Sequence, residues 1–262
     1  MSTPRLMAVL AHPDDESLGI GGTLAKYTSE GADVFLLTAT RGDRGRYRDF
    51  RFGDPQHPGS SALAAIRERE LRAAASALGV QDVALLDYRD QELDRVDPRH
   101  VIAAIVEHLR RVHPDVVITF GPDGAYGHPD HIAISQLATA AVVAAADPTI
   151  KKLYYIAWPE STWAAYQSAF KKLTSMVDGV ERQVVPWPDW EITTMLDTRP
   201  FVDKVWQAIS RHESQMSVYT QLAHLSPQHR DAVWGVQCFY RVFSMVNGGR
   251  ARETDLFEGI GT

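Results

Sequence analysis

Cysteine, positive charge and long apolar runs are all scarce in this sequence. Its 262 residues include one cysteine, Cys238, so no disulfide can form within the chain. A chain without disulfides suits a reducing compartment, and we expect a cytoplasmic protein. The longest stretch of small apolar residues, 137–146, is about half of the ~20 residues that cross a bilayer. The first apolar run, 6–11, is too short for a signal peptide, so we expect neither export nor an integral membrane segment.

The charge balance excludes a further class of partner. The sequence has 27 Lys and Arg against 33 Asp and Glu, a formal net charge of −6. A mildly acidic protein repels polyanions overall, so nucleic acid is not expected as its main partner. Hydrophobic residues, in contrast, make up 45% of the chain. A chain of this length builds a core without a structural metal, so any metal is expected to serve function.

Short apolar runs and longer helical patterns alternate through the first half of the chain. We predict strands over 6–10, 34–40, 83–86 and 116–120, and helices over 23–30, 61–78, 98–112 and 129–145. Repeated βαβ units with right-handed crossovers predict an α/β fold with a Rossmann-like, doubly wound, mostly parallel sheet and helices on both faces. Ligands of such a sheet bind outside the carboxyl ends of its strands.

The second half is less regular, and we interpret it as an extension of the same domain. Strands are predicted over 153–157, 192–196 and 238–246, and a helix over 200–212. Because no linker or repeat separates the halves, we expect a single domain, 1–262. Its core lies at about 1–160 and an irregular C-terminal extension at about 161–262.

The longest irregular segment, 42–60, is rich in arginine. It contains Arg44, Arg46, Arg48 and Arg51, and Arg41 directly precedes it. An anion-binding lid and a solvated charged loop account for this composition equally well.

Residue types that bind metals cluster where the first strand ends. Residues 11–16 read Ala-His-Pro-Asp-Asp-Glu. His12 and Asp15 are three residues apart around a strand-to-helix bend, so an imidazole nitrogen and a carboxylate oxygen can converge on one ion while Asp14 points elsewhere. The alternative, of equal weight, is that Asp14, Asp15 and Glu16 only stabilise a helix N-terminus through the backbone dipole.

A second segment of this kind follows the strand predicted over 116–120. Residues 121–131 read Gly-Pro-Asp-Gly-Ala-Tyr-Gly-His-Pro-Asp-His, and their second proline suits the first position of a helix. His128 and His131 are then three residues apart and face roughly the same way. A histidine in a first helical turn is, however, more often a surface residue than a ligand.

Both segments lie at the same edge of the predicted sheet, which makes a shared site the better explanation. His12, Asp15 and His131 would supply two nitrogens and one oxygen and leave coordination open, the pattern of a catalytic zinc. Mn, Fe(II) or Co(II) accept the same ligands.

Residues 12–16 and 127–131 together resemble the PIG-L/LmbE family of zinc-dependent N-deacetylases. The similarity extends through 40–42, 67–80 and 197–215 and so covers most of the chain. It implies a metal-dependent amidohydrolase that removes an acetyl or another short acyl group from an amino-sugar derivative. Because family members often form oligomers, it also implies a homo-oligomer.

The resemblance also implies a role for each matching residue. These are His12, Asp15 and His131 as metal ligands; Asp14 as general base; His128 as oxyanion donor and acid; Tyr126 as a mobile donor to the carbonyl oxygen; Asp130 as the residue that tunes the neighbouring histidine; and Arg67 and Asp90 as contacts to sugar hydroxyls.

Several alternatives stay open at this point. The enzyme could be an amidase that cleaves a larger amide in a sugar-thiol conjugate, or the protein could be a non-catalytic ligand-binding or assembly protein with a vestigial metal turn. A dinucleotide site is disfavoured, because the glycine-rich segment 19–24 has Leu24 where the third glycine should be. His212 is expected to cap or pack. Core packing is a commoner role than sugar stacking for four tryptophans, Trp158, Trp163, Trp187 and Trp190.

Overall fold

A computed structural model describes residues 3–170, 174–177, 179–249 and 251–261. Within them, seven strands form one sheet and two form a separate hairpin. The strands are β1 (Arg5–Leu10), β2 (Asp33–Thr40), β3 (Asp82–Tyr88), β4 (Val116–Phe120), β5 (Lys152–Ala157), β6 (Thr174–Val177), β7 (Val180–Gln183), β8 (Thr194–Asp197) and β9 (Val236–Ser244).

The large sheet has the strand order β3-β2-β1-β4-β5-β9-β8. Its first five strands are parallel, β9 pairs with β5 in antiparallel orientation, and β8 pairs antiparallel with β9 at the edge of the sheet. The mostly parallel α/β fold expected from the sequence is therefore confirmed. The chain moves outward from β1 to β3 and then returns to β4 on the other side of β1, which makes the β1–β4 boundary the switch point where ligands bind.

Nine helices pack around the sheet in the described part of the chain. They are α1 (Asp15–Ser29), α2 (Ser60–Leu78), α3 (Pro98–Val112), α4 (Gly124–Gly127), α5 (Pro129–Ala145), α6 (Glu160–Phe170), α7 (Val202–Ile209), α8 (Thr220–Ala223) and α9 (Pro227–Trp234). Helices α1, α2 and α7 contact one another, and α3 packs against α5. The core lies between these groups and the sheet, where every residue of β4 is buried. None of the described helices has the length and hydropathy needed to span a membrane.

Local sequence explains several helix ends. The Asp97 side chain accepts a hydrogen bond from the Arg99 backbone N–H, and Pro98 occupies the first position of α3. Gly79 follows the last residue of α2 and caps the helix. Its φ of 84° lies in the left-handed region that glycine tolerates best.

Helix α1 begins at Asp15 and not at residue 23, so the predicted start was wrong. The glycines of segment 19–24 hide the helical periodicity, and the helix is kinked at Ile20. Gly22 is needed for close packing, because a Cβ there would lie 2.7 Å from the Thr198 Cβ. The hairpin β6–β7 has no counterpart among the predicted elements, and the helix predicted over 200–212 is shorter, at Val202–Ile209.

Candidate metal and catalytic site

The turn after β1 places His12 and Asp15 beside His131. Oδ2 of Asp15 accepts hydrogen bonds from the backbone N–H groups of Ala11 (3.2 Å) and His12 (2.7 Å), which fixes the carboxylate. Its other oxygen, Oδ1, lies 3.3 Å from Nε2 of His131. That nitrogen lies 3.1 Å from Nδ1 of His12. Three donor atoms from two distant parts of the chain therefore meet at the switch point of the sheet.

The spacing of these donors fits a small divalent cation. Ligands ~2.1 Å from a tetrahedral zinc are ~3.4 Å apart. The His12 to His131 and His131 to Asp15 separations, 3.1 and 3.3 Å, are close to that value. Two further groupings of donor atoms within 4.8 Å of one another also occur, His12 with His128 and His131, and His12 with Asp90 and Asp130. The site can thus hold a metal.

Two carboxylates orient the His12 ring through its Nε2 atom. Its Nε2 lies 3.1 Å from Oδ1 of Asp90 and 3.1 Å from Oδ2 of Asp130. Asp130 is itself held by the backbone N–H groups of Gln91 (2.7 Å) and Leu93 (3.1 Å). A proton on Nε2 satisfies the carboxylates and leaves the lone pair of Nδ1 facing His131. Burial opposes protonation of His12, but Asp90 and Asp130 outweigh it and raise the His12 pKa well above its usual value.

Asp14 lies next to the donors in a strained backbone conformation. Its φ of 105° is in the region that side chains rarely adopt. Its N–H donates to Oε2 of Glu16 (2.9 Å), while its Oδ2 accepts from Nη2 of Arg67 (2.9 Å) and from the hydroxyl of Tyr219 (2.7 Å). Burial raises the pKa of Asp14, and the Arg67 guanidinium opposes that rise.

The loop after β4 carries Tyr126 and His128 over the same site. It turns through left-handed conformations at Gly124, Ala125 and Gly127. Nδ1 of His128 accepts the Asp130 backbone N–H at 3.2 Å and so caps α5, which leaves the proton of the neutral ring on Nε2. Burial, with the neighbouring His12 and His131, lowers the pKa of His128 to about 3. His128 is therefore a neutral hydrogen-bond donor at ordinary pH.

These groups line a cavity of about 380 Å³. Of the residues singled out from the sequence, Asp130 is not in its wall and acts through His12, and the others all reach it: His12, Asp14, Asp15, Arg67, Asp90, Tyr126, His128 and His131. Arg67 and Asp90, expected to contact sugar hydroxyls, contact Asp14 and His12.

Three further residues support the turn after β1: sequence reasoning missed Tyr219, and it named Glu16 only for a helix N-terminus and His212 only for capping or packing. Tyr219 contacts Asp14, while His212 and Glu16 pair with each other at 2.8 Å. Tyr219 and His212 lie some 200 positions from the turn, and neither belongs to a local motif of metal-binding residues. Only the three-dimensional fold brings them to it. The cavity wall also has an apolar part, which contains Leu18, Val184 and Val218 together with Trp158 and Trp163, two of the four tryptophans for which core packing was the favoured expectation.

The arginine-rich segment forms part of the cavity wall. Gly45 lines the cavity, and the segment is tied to the C-terminal half because the Arg48 N–H donates to the Ser214 carbonyl at 2.6 Å. Arg41 pairs with Glu68 and Asp87, and Arg44 pairs with Glu92 at 2.6 Å. Carboxylates thus already bind the guanidinium group of Arg44 in this segment and that of Arg41 just before it.

Comparison with known proteins identifies the family. The PIG-L family, described as GlcNAc-PI de-N-acetylase, matches residues 7–142. A 1D-myo-inositol 2-acetamido-2-deoxy-alpha-D-glucopyranoside deacetylase from Rhodococcus jostii (strain RHA1) is 34% identical over 295 residues, covering 100% of both chains. The protein of the same name from Kineococcus radiotolerans is 35% identical, covering 98% of this chain and 83% of that one. The chain belongs to the PIG-L family.

Solved structures with the same fold include proteins of more than one activity. N,N'-diacetylchitobiose deacetylase from Pyrococcus horikoshii gives a TM-score of 0.64 at 20% identity, covering 92% of this chain and 84% of that one. The 4-carboxy-2-hydroxymuconate hydratase from Pseudomonas putida KT2440 gives 0.69 at 19% identity, covering 95% and 100%. These likenesses establish the fold, and the reaction has to be argued from the site.

Proposed function

We propose that this protein is a metal-dependent N-deacetylase that hydrolyses the acetamide of an amino-sugar derivative. The observation that carries the proposal is the convergence of His12, Asp15 and His131 donor atoms beside the Asp14 carboxylate. The names of relatives that match nearly the whole chain, deacetylases of an N-acetylglucosaminyl inositol, support the same reaction.

The metal ligands in this proposal are Nδ1 of His12, Nε2 of His131 and Oδ1 of Asp15. Two nitrogens and one oxygen suit zinc, and three protein ligands leave a position open for chemistry. Mn, Fe(II) and Co(II) remain chemically acceptable occupants. When bound, such a cation polarises the amide carbonyl and lowers the pKa of water.

Asp14 is the general base. Within the described ranges, both of its side-chain hydrogen bonds fall on Oδ2, so Oδ1 is the oxygen that can take the proton of the attacking water and later deliver it to the leaving amine. Burial raises the pKa of this carboxyl, with Arg67 in opposition, and thereby strengthens it as a base. Proton transfer by a positioned group typically contributes roughly 10² to 10⁴-fold to the rate.

His128 and Tyr126 are the donors that stabilise the developing oxyanion. The Nδ1 contact to the α5 N-terminus leaves the Nε2–H of His128 as donor, and this role needs no positive charge on the ring. Asp130 orients the rings of both His128 and His12. Its backbone N–H donates to Nδ1 of His128, and its carboxylate contacts Nε2 of His12.

Arg67 and Asp90 have two tasks in the proposal. They hold Asp14 and His12, and they present remaining polar atoms to sugar hydroxyls. Both residues line the cavity, which supports the second task. A cytoplasmic, homo-oligomeric protein remains our expectation.

The test is acetate release from N-acetylglucosaminyl inositol and from simple N-acetylglucosaminides by zinc-loaded protein. We expect turnover that a chelator abolishes and zinc restores, and a loss of at least about 100-fold in kcat for Asp14→Asn, which removes the base. Release of a larger acid from a sugar-thiol conjugate, without acetate release, would favour the amidase alternative. Retention of full activity by Asp14→Asn would refute the assigned base.

A further inference from the structure

We propose that Tyr219 is the positioning residue of the general base: its hydroxyl fixes Oδ2 of Asp14 and thereby directs Oδ1 to the attacking water. The inference rests on the proposed deacetylase function and assigns a role to a part of the chain beyond residues 7–142, the range of the family match.

The contact is short and shared. The Tyr219 hydroxyl donates to Oδ2 of Asp14 at 2.7 Å, and Nη2 of Arg67 donates to the same oxygen at 2.9 Å. No residue in the described ranges donates to Oδ1. Two donors from different directions restrict rotation of the carboxylate, so one oxygen is held and the other is presented to the cavity. A charged acceptor makes such hydrogen bonds stronger than neutral ones.

The backbone of Asp14 makes this restraint necessary. Its φ of 105° and ψ of −25° are strained for a residue with a side chain, and such a conformation persists only where the surroundings hold it. Glu16 holds the backbone N–H of Asp14, and Arg67 and Tyr219 hold the carboxylate. Without the phenol, the guanidinium alone determines the direction of the carboxylate.

The Tyr219 ring is itself well anchored. It packs against the hydrophobic cluster formed by α7 and α9, which includes Val205, Ile209 and Trp234. The C-terminal half of the chain therefore fixes the position of the Tyr219 hydroxyl. Because its proton is committed to Asp14, Tyr219 is not the donor to the substrate carbonyl, a role that we assign to His128 and Tyr126.

The first experiment replaces the hydroxyl alone. For Tyr219→Phe we expect kcat to fall about tenfold, the order lost with one hydrogen bond to a charged group, with KM and zinc content unchanged. Tyr154→Phe is the matched control, since the Tyr154 hydroxyl also donates to a buried carboxylate, that of Glu253, at 2.7 Å. It should lose stability without losing kcat.

The second experiment tests whether Tyr219 acts through Asp14. In an Asp14→Asn background, Tyr219→Phe should cause no further loss of kcat, because residues that work as one unit are not additive. An equal loss in both backgrounds, or full kcat for the single variant, would overturn the proposal. Absence of acetate release by the wild-type protein would instead overturn the proposed function, so the two failures are distinguishable.

Discussion

Nε2 of His212 lies 2.8 Å from Oε1 of Glu16, and neither side chain is exposed to solvent. The other Glu16 oxygen accepts a hydrogen bond from the backbone N–H of Asp14, so the pair of Glu16 and His212 supports the strained turn. Burial opposes protonation of His212, but Glu16 outweighs it and raises the His212 pKa. The two side chains form a buried, hydrogen-bonded pair in which Glu16 favours the protonated form of His212.

The first prediction concerns this pair. His212→Gln should destabilise the protein by about 3 kcal/mol, because removing one partner leaves a buried charge uncompensated. Since the folded pKa of His212 is raised, its contribution is complete below the unfolded value of about 6.5 and declines as the pH rises through the folded value. Urea unfolding of wild type and variant at pH 6 and pH 9 measures this. A gap that widens at pH 9 would contradict it, and the exposed His229→Gln is the control.

The second prediction concerns the carboxylates that contact His12, one of the proposed metal ligands. Asp90→Asn should weaken zinc binding by roughly 10 to 100-fold, because the partner that orients His12 loses its charge. Asp87→Asn is a control, since Asp87 is an exposed partner of Arg41. Competition with a zinc chelator gives both affinities without an activity assay. Equal affinities would show that Asp90 does not orient the ligand.

Much of this site could be inferred from local sequence, and the reason is topological. The segments 11–16 and 121–131 each follow a strand directly, and strands β1 and β4 are adjacent in the parallel sheet, with Leu6 paired to Val116. Knowledge of the fold class alone therefore brings them together. Tyr219, His212 and the hairpin β6–β7 follow no such rule, because their positions depend on how irregular segments pack. No periodicity in the sequence encodes that packing.

The third prediction concerns a buried carboxylate that contacts strands β5 and β8. Glu253 accepts hydrogen bonds from Lys152, Tyr154, Thr194 and Asn247, all at 2.7 to 2.8 Å. Burial opposes its ionisation, but these donors, led by Lys152, outweigh it and lower the Glu253 pKa to about 2. This network connects the C-terminal segment to β5 and β8.

Glu253→Gln should cost about 3 kcal/mol of stability at pH 7, because Lys152 is left buried without its counter-charge. A depressed folded pKa stabilises the protein above the unfolded value of about 4.3, and that stabilisation is lost as the pH falls toward 2. The wild-type advantage in urea unfolding should therefore shrink from pH 7 to pH 3. An advantage that is independent of pH would count against ionised Glu253 as its source.

The last prediction concerns substrate preference. The proposed metal ligands give the cavity a polar part, but its wall also has an apolar part that contains Leu18, Trp163 and Val184. An N-acetylglucosaminide with an apolar aglycone should therefore gain from this wall. Burial of ~60 Å² of apolar surface at ~25 cal/mol per Å² is worth about 1.5 kcal/mol, or about tenfold in kcat/KM. We expect the phenyl glycoside to exceed the methyl glycoside by that factor.

Variants of two tryptophans test whether this preference comes from the apolar wall and not from a change in the hydrolysis step itself. Trp163→Ala should reduce the phenyl-to-methyl ratio of kcat/KM toward one. The kcat for the methyl glycoside should change little, because Trp163 belongs to the apolar part of the wall and is not one of the proposed metal ligands. Trp190→Ala should leave the ratio unchanged, since Trp190 is 74% exposed and outside the cavity. If both glycosides react equally with the wild-type protein, the apolar wall does not contact the aglycone and serves only to pack α6 against α9.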